Sequence, residues 1–167
     1  MSRATRRHGK GATLIKVREM AEGEADALGA IMFEAIHHGT PEYSETQRMA
    51  WAPHPPAGPE WASRLAAQHV WVAARRSEAL GFLTLDEAGY IDLAFVRSDA
   101  RRQGVFAALC RQAEDVARAA GVPSLRTHAS LTAQPAFARQ GFHVTQHETV
   151  ERSGQSLRRA EMEKALT

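Results

Sequence analysis

The stretch Val96-Arg97-Ser98-Asp99-Ala100-Arg101-Arg102-Gln103-Gly104-Val105-Phe106 decides the fold. It links an apolar run at residues 90–96 to the longest helical pattern, residues 103–120. In that pattern Val105, Ala108, Leu109, Gln112 and Val116 recur at helical spacing. Gly121 and Pro123 stop the helix, and residues 124–129 read as a strand. A strand, a helix and a strand in that order imply a parallel pair joined by a right-handed crossover. Ligands gather at the carboxyl ends of parallel strands, so the junction is the first candidate site. A helix N-terminus there presents unpaired N–H groups and a positive dipole end, which suits phosphate or pyrophosphate. Gly104 lets a ligand approach the backbone, and Arg101 with Arg102 add charge. The alternative is a solvated loop whose arginines cap or touch the surface.

Outward from the junction, residues 79–86 and 69–75 alternate as strands. With 90–96 they form an antiparallel meander across the short connections 76–78 and 87–89. Upstream lie a strand at 13–18, an amphipathic helix at 24–37 and a short helix ending near Ala50 or Trp51. Ser44 with Gln47 gives that short helix a capping box. Residues 52–59 hold four prolines and read as an irregular loop, followed by a helix at 60–68. Downstream, a helix at 133–140 precedes two strands, 142–151 and 156–164, around a turn at Gly154. The expected class is α+β, a mixed and mostly antiparallel sheet flanked by helices, with one parallel pair. Residues 13–167 read as one domain.

Composition narrows the function classes. The 167 residues are 44% hydrophobic and 24% charged, enough for one buried core and too few for two ordinary domains. The net charge of +2 and pI near 9.0 suggest a polyanionic partner. However, residues 1–18 hold six basic side chains and no acidic one, leaving fifteen basic against nineteen acidic in the rest. The basic character therefore belongs to the N-terminus, and residues 1–12 read as a disordered, basic tail or a cloning remnant. That argues against a nucleic-acid partner. No apolar run reaches the ~20 residues of a membrane span, and the opening segment lacks a signal-type apolar region. A cytoplasmic protein with no membrane partner is expected. The lone Cys110 excludes an intramolecular disulfide, and the histidines lack ligand spacing, so no metal is expected. Neither a P-loop nor a Gly-x-Gly-x-x-Gly motif occurs.

Arg101-x-x-Gly104 after a strand and opening an amphipathic helix resembles the pyrophosphate loop of the GNAT superfamily of acetyl-CoA-dependent N-acetyltransferases. Phe95-Val96-Arg97-Ser98 looks like the strand end before that loop. Ala133-x-x-x-Phe137-x-x-x-Gly141-Phe142 is similar to the final helix and strand. Tyr43-Ser44, Gln47, Trp51-Ala52-Pro53, Trp61, Arg64-Leu65, Thr127–Ser130 and Met162–Lys164 resemble a YafP-like branch of small bacterial members. The resemblance runs from about Leu14 to Leu166. It implies a splayed parallel strand pair at the cofactor site and acetyl transfer from acetyl-CoA to an amine, on a small molecule or a protein. By analogy it allows a homodimer. A non-catalytic acyl-CoA-binding regulatory domain is the alternative, because Phe137 stands where many members have a proton-donating tyrosine. Phe106 stands where the loop usually has Gly or Ala.

The resemblance assigns Phe95, Val96 and Arg97 to the pantetheine arm and acetyl group by their backbone. It assigns Arg101, Arg102, Gln103, Gly104, Val105, Phe106 and Ala107 to the pyrophosphate, and Ser130 and Phe137 to further cofactor contacts. Amine acetylation needs a base, because an amine of pKa near ~10 is protonated at neutral pH. Asp92 is the first candidate, four residues before Val96 and so expected on its face of the strand. The alternative is a carboxylate paired with an arginine. His128 on the parallel strand is the second, as a proton relay. Tyr90 sits, by resemblance, where histone-acetylating members place a glutamate base. His37, Tyr43, Trp51 and Tyr90 are expected around the acceptor, and the acidic remainder of the chain suits a cationic amine.

Overall fold

The computed structural model describes residues 14–166. The expected tail and Thr13 of the expected first strand lie outside them. The elements are β1 (Lys16–Glu19), α1 (Ala25–Gly39), α2 (Glu45–Trp51), α3 (Gly58–Ala66), β2 (His69–Arg75), β3 (Glu78–Leu85), β4 (Tyr90–Ile91) and β5 (Ala94–Val96). After them come α4 (Val105–Ala119), β6 (Ser124–Ser130), α5 (Ala133–Arg139), β7 (His143–Arg152) and β8 (Gln155–Ala165). The Ser44 capping box forms as expected. Its hydroxyl accepts from the Gln47 amide at 3.1 Å and its own amide donates to the Gln47 side chain at 2.8 Å.

The strands make two four-stranded sheets, ordered β1-β2-β3-β5 and β4-β6-β8-β7. The parallel pair is present, but it is short: Tyr90 faces Arg126 and Ile91 faces Thr127. The single strand expected over residues 90–96 is therefore corrected to two. β4 serves the second sheet and β5 the first, where Gly81 faces Val96 and Leu83 faces Ala94. The Asp86 amide bonds the Tyr90 carbonyl and the Thr84 amide the Leu93 carbonyl, so two residues on that side span three on this one, a bulge at Asp92–Leu93 that splits the strand. Two buried threonines satisfy the backbone there. The Leu93 amide donates to Thr84 Oγ1 at 3.0 Å, and Thr127 Oγ1 donates to the Ile91 carbonyl at 2.9 Å.

The bulge also reassigns faces. Ile91 and Val96 pack with Leu83, Leu109, Leu125 and Met162 in the core beneath α4. Leu93 and Phe95 pack instead with Leu28, Leu65 and Phe82 beneath α1 and α3. Asp92 reaches Arg64 of α3, so it does not share a face with Val96 as strict alternation requires. Leu65, Phe82, Leu109 and Leu125 are fully buried, each such side chain contributing roughly 1.5–3 kcal/mol. These two cores hold β5 rigidly on one side and leave its other edge diverging from β6.

Candidate active site

Two cavities flank the divergence of β5 from β6 and share Trp51, Ala94, Phe95, Ser130 and Ala133 as walls. The first, of about 490 Å³, is bounded by the loop before α4. That loop curls because Arg102 and Gly104 both take positive φ, 60° and 82°. Gly104 is the N-cap residue, and α4 carries neither a side-chain cap nor an acidic residue in its first turn. The first intrahelical bond runs from the Ala108 amide to the Gly104 carbonyl. The amides of Val105, Phe106 and Ala107 thus lack a helical partner. A Cβ built on Gly104 would meet nothing within 4 Å, so glycine is required there by the backbone angle and the space above it is open. Arg101, Arg102 and Arg139 line this cavity against a single carboxylate, Glu42. Curled loop, free amides and excess positive charge fit a pyrophosphate.

The loop is tied down from outside the cavity. The Arg101 guanidinium donates to the Gly39 carbonyl at the end of α1. Glu34 of α1 accepts from the Ser98 amide at 3.0 Å and from the Ser98 hydroxyl. Gln103 takes the Arg75 guanidinium at 2.5 Å, and Arg97 pairs with Asp99 at 2.6 Å and with Glu78. Neither Gln103 nor Arg97 lines a cavity wall, so their side chains brace the loop. The backbone of β5 is equally specific. The Arg97 amide donates to Leu80 and the Thr84 amide to the Leu93 carbonyl. By antiparallel alternation Phe95 and Arg97 turn their polar backbone toward β3, while Ala94 and Val96 turn theirs to the open edge. The expected use of the Phe95–Arg97 backbone narrows to Val96, joined by Ala94.

The second cavity, of about 370 Å³, lies on the other side of the seam. Tyr43, Trp51, Tyr90, Asp92 and His128 line it. The Tyr90 hydroxyl and His128 Nδ1 share a hydrogen bond of 2.5 Å. With the hydroxyl donating, Nε2 bears the imidazole hydrogen and faces Glu148 at 3.6 Å and Glu161 at 4.0 Å. Burial, aided by the Asp92 charge, pushes the Tyr90 phenol up and keeps it protonated. Asp92 is different. Burial pushes its carboxyl up, but hydrogen bonds from Arg64 at 2.8 and 2.9 Å and from Gln68 at 3.1 Å hold it below the usual value. Both its oxygens are engaged, which is the arginine-paired arrangement.

The remaining expected residues divide. Ser130 borders both cavities, and its oxygen accepts from the Ala133 amide, the first of α5, at 3.1 Å. Phe137 is buried, lines the second cavity and stacks edge-on with Phe106 and Phe142 at 4.9 and 5.0 Å. It forms the floor under Phe106. His37 lines neither cavity; its Nε2 bonds the Ala52 carbonyl at 2.6 Å and its ring lies 4.2 Å from that of Phe33. Sequence reasoning missed Glu148, Arg159 and Glu161, and gave no role to Arg64. Their signal was the alternating charge of the last two strands, which puts Glu148 opposite Arg159 and His128 opposite Glu161. Cys110 is buried within α4 and its thiol is pushed up to about 12 by burial, so it is inert.

A family model described as an acetyltransferase (GNAT) domain matches residues 39–166. The chain belongs to the GNAT family. Among its relatives, the uncharacterized N-acetyltransferase YafP of Escherichia coli K12 is 33% identical over 141 residues, spanning 84% of this chain and 89% of that protein. The crystal structure of a GCN5-related N-acetyltransferase from Rhodopseudomonas palustris superposes with a TM-score of 0.86 at 30% identity, covering 91% of this chain and 96% of that one. YncA of Salmonella typhimurium, a putative acetyltransferase solved with acetyl-CoA, shares the fold with a TM-score of 0.63 at 18% identity, covering 92% and 95%. This GNAT chain is accordingly an acyltransferase that uses acetyl-CoA, and it carries the α+β fold expected of the family. No helix among the described residues is long and apolar enough to cross a membrane.

Proposed function

We propose that the protein moves the acetyl group of acetyl-CoA directly onto a primary amine within a ternary complex. The observation that carries this reading is the pair of cavities meeting at the β5–β6 seam. One cavity offers free amides to a pyrophosphate, and the other holds a proton-relay pair. The thioester lies along β5, where the Val96 amide polarises the acetyl carbonyl and stabilises the oxyanion. The amine enters beside Tyr90. An ammonium must lose one proton before attack, and the nitrogen loses a second as its bond to the carbonyl carbon forms and the C–S bond breaks.

One of these protons passes to the Tyr90 oxygen while the Tyr90 proton moves to His128 Nδ1. The resulting imidazolium faces Glu148 and Glu161 and returns the proton to solvent. Asp92 is too well satisfied to compete as the base, and it positions Arg64 beside Tyr90. Phe137 has no proton to give, so the thiolate is protonated by water. A covalent acetyl-enzyme has no suitable nucleophile in Cys110. The test is calorimetric titration with acetyl-CoA, followed by thiol release across a panel of amines. Saturable binding and amine-dependent release are expected. Release that is independent of amine would remove the ternary-complex reading.

A further inference from the structure

We propose that the amine acceptor also carries an anionic group, a carboxylate or a phosphate, which the acceptor cavity holds between Arg152 and Arg159. The inference deepens the transfer chemistry proposed above and rests on it. Whole-chain charge suggests the opposite, a cationic acceptor for an acidic body, but the local arrangement reverses that expectation. Three arginines bring side chains to this cavity, namely Arg64, Arg152 and Arg159, against one carboxylate, Asp92. What decides the matter is which of these charges are already spent.

Asp92 takes three N–H groups from Arg64 and Gln68, which leaves little for a ligand's ammonium. Of the two carboxylates behind His128, Glu148 accepts from Arg159 Nε at 2.6 Å, and Glu161 lies 4.0 Å from the imidazole and outside the cavity wall. The arginines are not exhausted in the same way. Arg159 gives only its Nε to the protein, so both terminal nitrogens remain to be used. Arg152 makes no ion pair and no side-chain hydrogen bond among the described residues. On β7, Glu148, Val150 and Arg152 alternate onto one face, and cross-strand pairing puts Leu157 and Arg159 beside them. Arg158, between them, turns its side chain to the opposite face and lends the cavity only its backbone, whose carbonyl accepts from the Tyr43 hydroxyl at 2.6 Å.

Unsatisfied guanidinium donors above an apolar floor of Val150 and Leu157 are suited to a carboxylate or phosphate oxygen pair. The Tyr90–His128 pair lies on the same face and takes the amine end of the same molecule. A cavity of about 370 Å³ is at the small end of ligand pockets, so a metabolite-sized amino acid or phosphorylated amine fits.

Matched pairs of amines test this: γ-aminobutyrate against its amide, glycine against glycinamide, and phosphoethanolamine against ethanolamine. For each, thiol release gives kcat and KM with acetyl-CoA saturating, and calorimetry in the presence of coenzyme A gives affinity without turnover. At least one anionic member is expected to exceed its neutral partner about tenfold in kcat/KM and in affinity, the value of one charge-assisted contact. The carboxylate and phosphate pairs separate the two sources of the anion. In the Arg152→Gln variant, KM for the preferred anion should rise about tenfold with kcat held, and the neutral partner should be unmoved. Anions that bind no better than their neutral partners, or that are unaffected by the Arg152→Gln variant, overturn the proposal. Anions that bind as expected while no amine releases thiol leave this site standing and defeat the transfer reading instead.

Discussion

The donor side and the acceptor side of the seam are built from different materials. The donor side is mostly backbone: amides of one continuous loop, curled by positive φ at Arg102 and Gly104, with side chains bracing it from behind. The acceptor side is made of side chains brought together from α2, α3, β4, β6, β7 and β8. A backbone site depends on few residue identities and one geometry, so it can be shared across a family with divergent sequences. A side-chain site can be rewritten one position at a time, and it is where members of a family differ in substrate.

The largest effect expected from that contrast is at Gly104. Gly104→Glu forces a side chain into φ of 82° and places a carboxylate against the pyrophosphate, so acetyl-CoA affinity measured by calorimetry should fall about a hundredfold or more. An unchanged affinity would mean that the donor site does not rest on this loop. Next comes His128→Gln, which removes the relay. We expect kcat to fall about a hundredfold with donor affinity untouched, and Tyr90→Phe to cost about tenfold. Loss of donor affinity in either variant would dissolve the distinction between the two sides.

A smaller effect concerns the stability of the acceptor side. Asp92 has a folded-state pKa held below its ordinary value near 3.8. Its favourable contribution is therefore complete above about pH 4 and disappears as pH falls through the folded value. Asp92→Asn should cost about 1 kcal/mol at neutral pH, a figure reduced by the half-exposed Arg64 partner. Urea unfolding at a series of pH values should show this gap closing below pH 4. A gap that persists in acid would separate the effect from ionisation, and full loss of turnover in Asp92→Asn would restore it as the base.

The same contrast governs what the sequence made legible. The donor loop could be read from a dozen consecutive residues, because a strand end, Arg101-x-x-Gly104 and a helix start all lie within one local run. The helices and most strands were equally accessible from period and punctuation. The division of residues 90–96 was not, since a bulge depends on a partner strand: Thr84, nine residues away, supplies the acceptor that makes the extra residue tolerable. That single shift moved Asp92 off the face of Val96 and toward Arg64. Likewise, Glu148 and Arg159 acquire meaning only once β8 is seen to lie between β6 and β7. His37 shows the converse, a histidine in the right neighbourhood whose ring is consumed by the Ala52 carbonyl.

The clasp between Arg101 and Gly39 has a consequence for how these two positions tolerate change. A Cβ on Gly39 would fall 2.3 Å from Arg101 Nη2, so alanine there must expel the guanidinium from the end of α1. Losing that charge-assisted bond costs about 1.5–3 kcal/mol, while alanine in a helix returns up to about 1 kcal/mol over glycine. Gly39→Ala is thus expected to destabilise the protein by about 1 kcal/mol when Arg101 is present and to stabilise it slightly in an Arg101→Ala background. The same substitution changes sign with its neighbour, so a double-mutant cycle in urea should return a coupling of about 1–2 kcal/mol. Sixty-two residues apart in sequence, the two positions form one unit of inheritance: neither can be optimised while the other is held fixed.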